Sequence, residues 1–270
     1  MEVSADSPVQ VEQAQEGYAI IRINRPHVAN SLNDEALHLL KQSIEQVGRQ
    51  KGTRAVVLTG TGHFFCAGAD LQQDEGNPIA GGGAGAVGAA HVRELYSALA
   101  VGLANLDLPV LAAINGACAG AGLGIALLCD FRIAIQGATF TTAFAKIALA
   151  PDTAVSWTLP RIVGTQLARR LLLSSERFSA EEALQWGLVD EVADTTDFEQ
   201  RWRTQATALA QGPTLAYGAM KRLLRNTETN TLEEQAGLEA LEQGYLIASE
   251  DFQEGGRAFL EKRSPHFEGR

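Results

Sequence analysis

Histidine, cysteine and methionine are scarce in this chain, at five, three and two residues in 270. The cysteines, Cys66, Cys118 and Cys129, lie in apolar or small-residue segments, form no Cys-x-x-Cys pair and have no histidine at metal-ligand spacing. That argues against a metal site and leaves buried free thiols of a reducing compartment. Positive charge is short as well. Twenty-two Lys and Arg against 32 Asp and Glu give a net charge of -10, which argues against a nucleic-acid surface, since phosphate binding needs clustered cations. The glycine run at 80–88 lacks the Gly-Lys-Ser/Thr ending of a phosphate-binding loop, and the whole stretch 75–90 reads as a mobile connection, with a functional loop beside a site as the alternative. Ser156 and Ser174 have no nucleophile-elbow pattern, and neither His63 nor His91 completes a triad. Residues 1–17 are polar and acidic, with no basic-then-apolar leader and no Arg-rich amphipathic pattern, so a cytoplasmic protein is expected.

One uncharged stretch, 108–129, is long enough to span a bilayer. It contains Pro109, four glycines and the turn signal Asn115-Gly116. A strand, turn and helix buried in a core explain it better, and no membrane association is expected.

Hydrophobic residues make up 46% of the sequence, enough for a sizeable core. Tyr18 to Ile23 alternates and reads as a strand ended by Arg25-Pro26. Asn33 is the plausible N-cap of a helix running to Val47, with Leu39, Leu40, Ile44 and Val47 on one face. Ala55 to Thr59, Val110 to Ile114 and Phe131 to Ile135 are further strands. Strands alternating with helices predict an α/β architecture. From 156 the chain reads as almost entirely helical, and from about 197 as successive amphipathic helices whose apolar faces need a partner surface. The expected division is a core at 1–196 and a helical C-terminal region at 197–270.

Two segments carry the chemistry. Each reads as a buried strand, a small-residue turn and a helix start: 54–60 running through Phe65-Cys66-Ala67-Gly68-Ala69-Asp70-Leu71, and 110–116 running into Ala119-Gly120-Ala121-Gly122. Helix starts leave backbone N–H groups without partners, and small residues let a ligand oxygen approach them. Two such starts side by side form an oxyanion site, where each donor contributes roughly 10²–10³ in rate. A carbonyl polarised there has a removable α-proton, so a base is needed. Between Asp107 and Glu176 only two acids occur, Asp130 and Asp152. Asp130, at a helix-to-strand junction, reads as turn chemistry. For Asp152 two readings stand open: a base in an apolar run, or the N-cap of the helix that follows Pro151.

The sequence resembles the crotonase superfamily, the enoyl-CoA hydratase/isomerase group, over essentially its whole length. The resemblance is carried by Ile23-Asn24-Arg25-Pro26 with Asn30-Ser31-Leu32, by Phe65 to Leu71, by Asn115-Gly116-Ala117-Cys118-Ala119-Gly120-Ala121-Gly122, and by the segment 180–189. It implies an α/β spiral of ββα units with a helical C-terminal trimerisation region, assembling as a homotrimer or a hexamer made of two trimers. It implies an acyl-CoA thioester substrate, with coenzyme A as part of that substrate and no further cofactor. The oxyanion amides would be those of Ala69 and Ala121. The coenzyme would lie along Val28, Ala29, Leu32, Ala67, Gly68, Asp70, Leu71 and Gly120. Lys262 would add a positive charge from a neighbouring subunit, or else is a solvated helix-end cation.

Hydratases of this family carry two glutamates, at positions that read Gly124 and Phe144 here. One base, Asp152, suffices for moving a proton between carbons. The chain is most similar to the branch of ring-epoxide phenylacetyl-CoA isomerases, whose members also shift enoyl-CoA double bonds. In that branch the aspartate matching Asp152 is the acid/base, and its usual Gly-Gly after the aspartate reads Ala154-Val155 here. The expected activity is acyl-CoA isomerisation, with Phe140 and Phe144 lining the acyl pocket. The alternatives are hydratase-like activity, a non-catalytic acyl-CoA binder, and an aryl-CoA dehalogenase, whose histidine base would fall at Ser97.

Overall fold

Alternation along the strands decides which side chains each sheet buries. The computed structural model describes residues 6–71 and 85–270. Its elements begin β1 (Val9–Gln13), β2 (Tyr18–Ile23), α1 (Asp34–Arg49), β3 (Ala55–Gly60), β4 (Phe64–Cys66), α2 (Gly85–Val92) and α3 (Ala98–Ala104). They continue β5 (Val110–Ile114), β6 (Ala117–Ala119), α4 (Ala121–Leu128), β7 (Phe131–Ile135), β8 (Thr139–Thr141), α5 (Val155–Val163) and α6 (Thr165–Ser174). The chain ends with β9 (Phe178–Ser179), α7 (Ala180–Gln185), β10 (Glu191–Ala193), α8 (Phe198–Gln211), α9 (Thr214–Asn226), α10 (Leu232–Ile247) and α11 (Glu250–Glu261).

A six-stranded sheet runs in the order β1-β2-β3-β5-β7-β10 and a four-stranded sheet in the order β4-β6-β8-β9. Among the described residues only the β1/β2 and β8/β9 pairs are antiparallel. The pairs β3/β4, β5/β6 and β7/β8 each give one strand to each sheet before a helix follows. That repetition is the ββα spiral.

Period two sorts the side chains. Tyr18, Ile20, Val57, Leu111 and Ile133 face one cluster with Phe198, Trp202 and Leu209 of α8. Ile21, Ile23, Val56, Leu58, Val110 and Ile114 face the larger cluster, with Leu37, Leu40 and Ile44 of α1 and the buried helix α4. Each such side chain contributes about 1.5–3 kcal/mol on burial. Asn33 caps α1, its side chain accepting from the Ala36 amide at 2.8 Å. Asp130 has the structural role expected of it, accepting from the Val110 amide at 2.7 Å and Lys221 Nζ at 2.6 Å. All three cysteines are buried free thiols.

Some elements differ from expectation. The residues after 156 include the short strands β9 and β10. Residue 197 falls just before α8, which packs on the large sheet. The exposed apolar surface lies further on, in α9–α11. Of the glycine-rich stretch, 75–84 lies outside the described residues, and Gly85 onward is the helix α2 rather than a loose connection. Among the described residues no helix is long and apolar enough to cross a membrane.

Candidate active site

The first turn is built by Asn30. Its buried amide donates to the carbonyls of Thr61 at 2.9 Å and Phe64 at 2.7 Å and accepts from the Arg25 amide at 2.9 Å. This fixes the segment after β2 against β4. Leu32 then pairs with Ala69 as an isolated parallel bridge: its N–H donates to Gly68 O at 2.7 Å, and its carbonyl accepts from Asp70 N at 3.0 Å. Both flanking groups are consumed, and the Ala69 N–H is left without an acceptor among the described residues. The expected helix start is not the cause here. Ala69 is extended, and its amide is freed by strand-like pairing on either side of it.

The second turn does begin a helix. Asn115 donates to Gly60 O at 2.9 Å and Gly62 O at 2.8 Å and accepts from Gly60 N at 3.1 Å, tying the ends of β3 and β5 together. Gly120 has φ +52° and donates to Thr141 O at 3.2 Å. Ala121 opens α4, so its N–H is one of the amides that a helix start leaves unpaired. Only glycine separates the two turns. A Cβ on Gly68, whose φ is +98°, would lie 3.0 Å from Ala119 O and 3.4 Å from Ala121 N. The free amides of Ala69 and Ala121 are thereby brought together.

Asp152 stands between the short helical turn Phe144–Ile147 and α5. The N-cap reading fails, because α5 starts only at Val155 and its cap is Ala154, with no side-chain bond. The carboxylate instead accepts from Thr153 Oγ1 at 2.9 Å. Among the described residues no Lys, Arg or His pairs with it. Burial raises its pKa from the ordinary 3.8, against the lowering bond from Thr153. Its charge acts on the buried Cys66 thiol, which burial pushes up to about 12, and Cys66 leads into the first turn. The backbone after it is strained: Thr153 has φ 45° and Ala154 φ 58°, at roughly 1–3 kcal/mol for each such non-glycine residue. Strain of this kind persists where surrounding packing dictates it. Here Thr153 is pressed against Gly124, on which a Cβ would lie 2.7 Å from both the Thr153 Cβ and its carbonyl oxygen.

The other expected site residues divide. Val28, Ala29, Ala67 and Leu71 border the first turn and keep partial or full exposure. Leu32 is buried, acting through its backbone. Asp70 is held by Arg25 at 2.8 Å. Phe144 is 6% exposed. Phe140 corrects the expectation of a pocket wall: at 1% exposure and stacked on Phe178 at 5.4 Å, it is core. Lys262 is an exposed left-handed cap of α11, and among the described residues its side chain makes no bond. Ser97 is half-buried at the end of a π turn. Missed at the level of sequence was Thr153, buried and bonded to Asp152.

A ββα spiral of this kind is the crotonase fold, and the chain belongs to the enoyl-CoA hydratase/isomerase family, whose model matches residues 13–270. It is 44% identical over 94% of its length, and 96% of the relative's, to a Rhodobacter capsulatus protein named "Probable enoyl-CoA hydratase". It is 39% identical to the 1,2-epoxyphenylacetyl-CoA isomerase of Escherichia coli, covering 96% of this chain and 98% of that one. The crystal structure of an enoyl-CoA hydratase from Bacillus anthracis superposes with a TM-score of 0.89 at 31% identity, covering 97% of this chain and all of that one.

Proposed function

We propose that this family member is an acyl-CoA isomerase. The thioester oxygen sits between the Ala69 and Ala121 amides. Asp152 removes a proton from the α-carbon of a 3-enoyl thioester, the electron pair moves onto the thioester oxygen as a dienolate, and the Asp152 acid returns the proton to the γ-carbon. The product is the 2-enoyl thioester. In a ring-epoxide acyl group the same pair would stabilise charge on the thioester while the ring rearranges.

The observation that carries the reading is that Asp152 remains while neither position where the resemblance puts a hydratase glutamate holds an acid. Position 124, one of the two hydratase glutamate sites by resemblance, is closed by Thr153, and position 144 is a phenylalanine. Hydration needs both water activation and an α-proton source. The name of the Rhodobacter relative favours a second reading, hydratase activity through Asp152 alone. A panel of 3-enoyl, 2-enoyl and aryl-acetyl thioesters separates the two. Migration of the double bond faster than hydration supports isomerase, and hydration of the 2-enoyl substrate as the dominant reaction overturns it.

Asp152 must be ionised to act, and burial raises its pKa. The expected pH profile of kcat/KM therefore falls on the acid side, through a midpoint above the ordinary 3.8. A profile flat down to that ordinary value would contradict the assignment.

A homotrimer, or two trimers stacked as a hexamer, fits the exposed face of the last helices. Leu224 is 70% exposed, Leu232 80%, Tyr245 70%, Phe259 84% and Leu260 82%, a surface that soluble monomers rarely present. Lys262 follows this patch directly and would reach a neighbour's coenzyme. Light scattering should give a multiple of three times the 28.8 kDa chain, and a monomeric mass would contradict it.

A further inference from the structure

Thr153 is β-branched, 1% exposed and left-handed, a conformation that branched side chains rarely adopt. A strained residue that persists points to a use for its side chain. Its hydrogen bond sets it apart from the other buried threonines. Thr59, Thr142 and Thr158 donate to the main-chain carbonyls of Ala113, Leu171 and Ala154, at 2.8, 2.8 and 3.0 Å. Thr53 donates to the neutral Gln13 side chain at 3.2 Å. Thr153 Oγ1 alone among them donates to a carboxylate, Oδ1 of Asp152.

Both members of this pair are anchored. The Asp152 carbonyl accepts at 2.9 Å from the amide of Val155, the first residue of α5. The Thr153 side chain lies on Gly124 of α4, where a Cβ would stand 2.7 Å from Thr153 Cβ and 3.0 Å from its Cγ2. Gly124 is one turn from the helix start, its N–H donating to Gly120 O at 3.1 Å. The helix that begins with the Ala121 amide therefore also seats the residue that grips the carboxylate.

No cation competes for that grip among the described residues. α4 carries no charged side chain, and Arg161 of α5 is turned to the Trp157 carbonyl and to Glu228. Two further titratable groups feel the Asp152 charge, the Cys66 thiol of β4 and the Tyr96 phenol, and burial keeps both neutral at ordinary pH. Apart from its own main-chain N–H, the carboxylate has the Thr153 hydroxyl as its donor.

We propose that Thr153 is the positioning residue of Asp152: its hydroxyl, seated by packing on Gly124, fixes the carboxylate and favours its ionised form, so that the base works at lower pH than burial alone permits. A hydrogen bond to the charged form stabilises that form. The proposal rests on the reading of Asp152 as the base.

The test follows Asp152 itself. Protein carrying carbon-13 in its aspartate carboxyls is titrated by infrared spectroscopy, with Asp152→Asn identifying the band. Wild type is compared with Thr153→Val and Thr153→Ala, which lack the hydroxyl, and with Thr153→Ser, which keeps it. The ionisation midpoint should rise by about one to two pH units in the first two and stay near wild type in the third. The acid limb of kcat/KM with a 3-enoyl thioester should move with it. Thermal unfolding identifies folded variants, and alanine, the smaller side chain, serves if valine is not accommodated. A midpoint unmoved without the hydroxyl, or moved equally by serine, overturns the proposal and leaves the isomerase reading to the thioester panel. Absence of double-bond migration in wild type overturns that reading, whatever the infrared midpoints show.

Discussion

Asp152→Asn is expected to lower double-bond migration by about 10²–10⁴-fold, the range for loss of a general acid/base, while acyl-CoA still binds. Asparagine keeps the shape of the side chain and an oxygen for the Thr153 hydroxyl, so the strained turn at Thr153 and Ala154 should persist. The same substitution tests the electrostatics in the opposite direction. A folded-state pKa raised by burial means the ionised carboxylate opposes folding. That cost is present at pH values above the folded pKa and disappears as the pH falls through the unfolded one. At neutral pH the variant should therefore unfold at the same temperature as wild type or higher. A variant that turns over normally removes Asp152 from the mechanism. One that loses activity and unfolds early points to a structural carboxylate instead.

Gly68→Ala should act on the other half of the site. Its Cβ would stand 3.0 Å from Ala119 O and 3.4 Å from Ala121 N, on a backbone with φ +98°, so the two turns must separate. Loss of one aligned donor costs about 10²–10³ in rate, read as kcat/KM with a 3-enoyl thioester. The left-handed backbone adds a stability loss of about 1 kcal/mol or more. Activity within a few-fold of wild type would mean that the amides of Ala69 and Ala121 do not act as a pair.

Much of this architecture was legible in the residues. Short, largely apolar runs marked β3, β5 and β7, and Asn33 announced α1, because strand burial and cap chemistry leave strong local signals. The strands of the small sheet are two or three residues long, too short to show a period. The candidate site was legible unevenly. Ala121 could be read from the glycines that open α4. The free amide of Ala69 arises from its bridge to Leu32, a long-range pairing that no local pattern displays. Asp152 was ambiguous because a proline-aspartate step before a helix looks like a cap. The structure places two left-handed residues between it and α5, which only tertiary packing against Gly124 dictates. Phe140 was misread because an aromatic near a turn looks the same from sequence whether it faces a cavity or a neighbour such as Phe178.

The central claim is that Asp152 alone carries hydrogen between carbons while two backbone amides hold the enolate. It is tested most directly by mass spectrometry of the product formed from a 3-enoyl-CoA in oxygen-18-labelled water. The expected product is a 2-enoyl thioester free of the label, formed by wild type and not by Asp152→Asn. A labelled 3-hydroxyacyl product as the main species would contradict it.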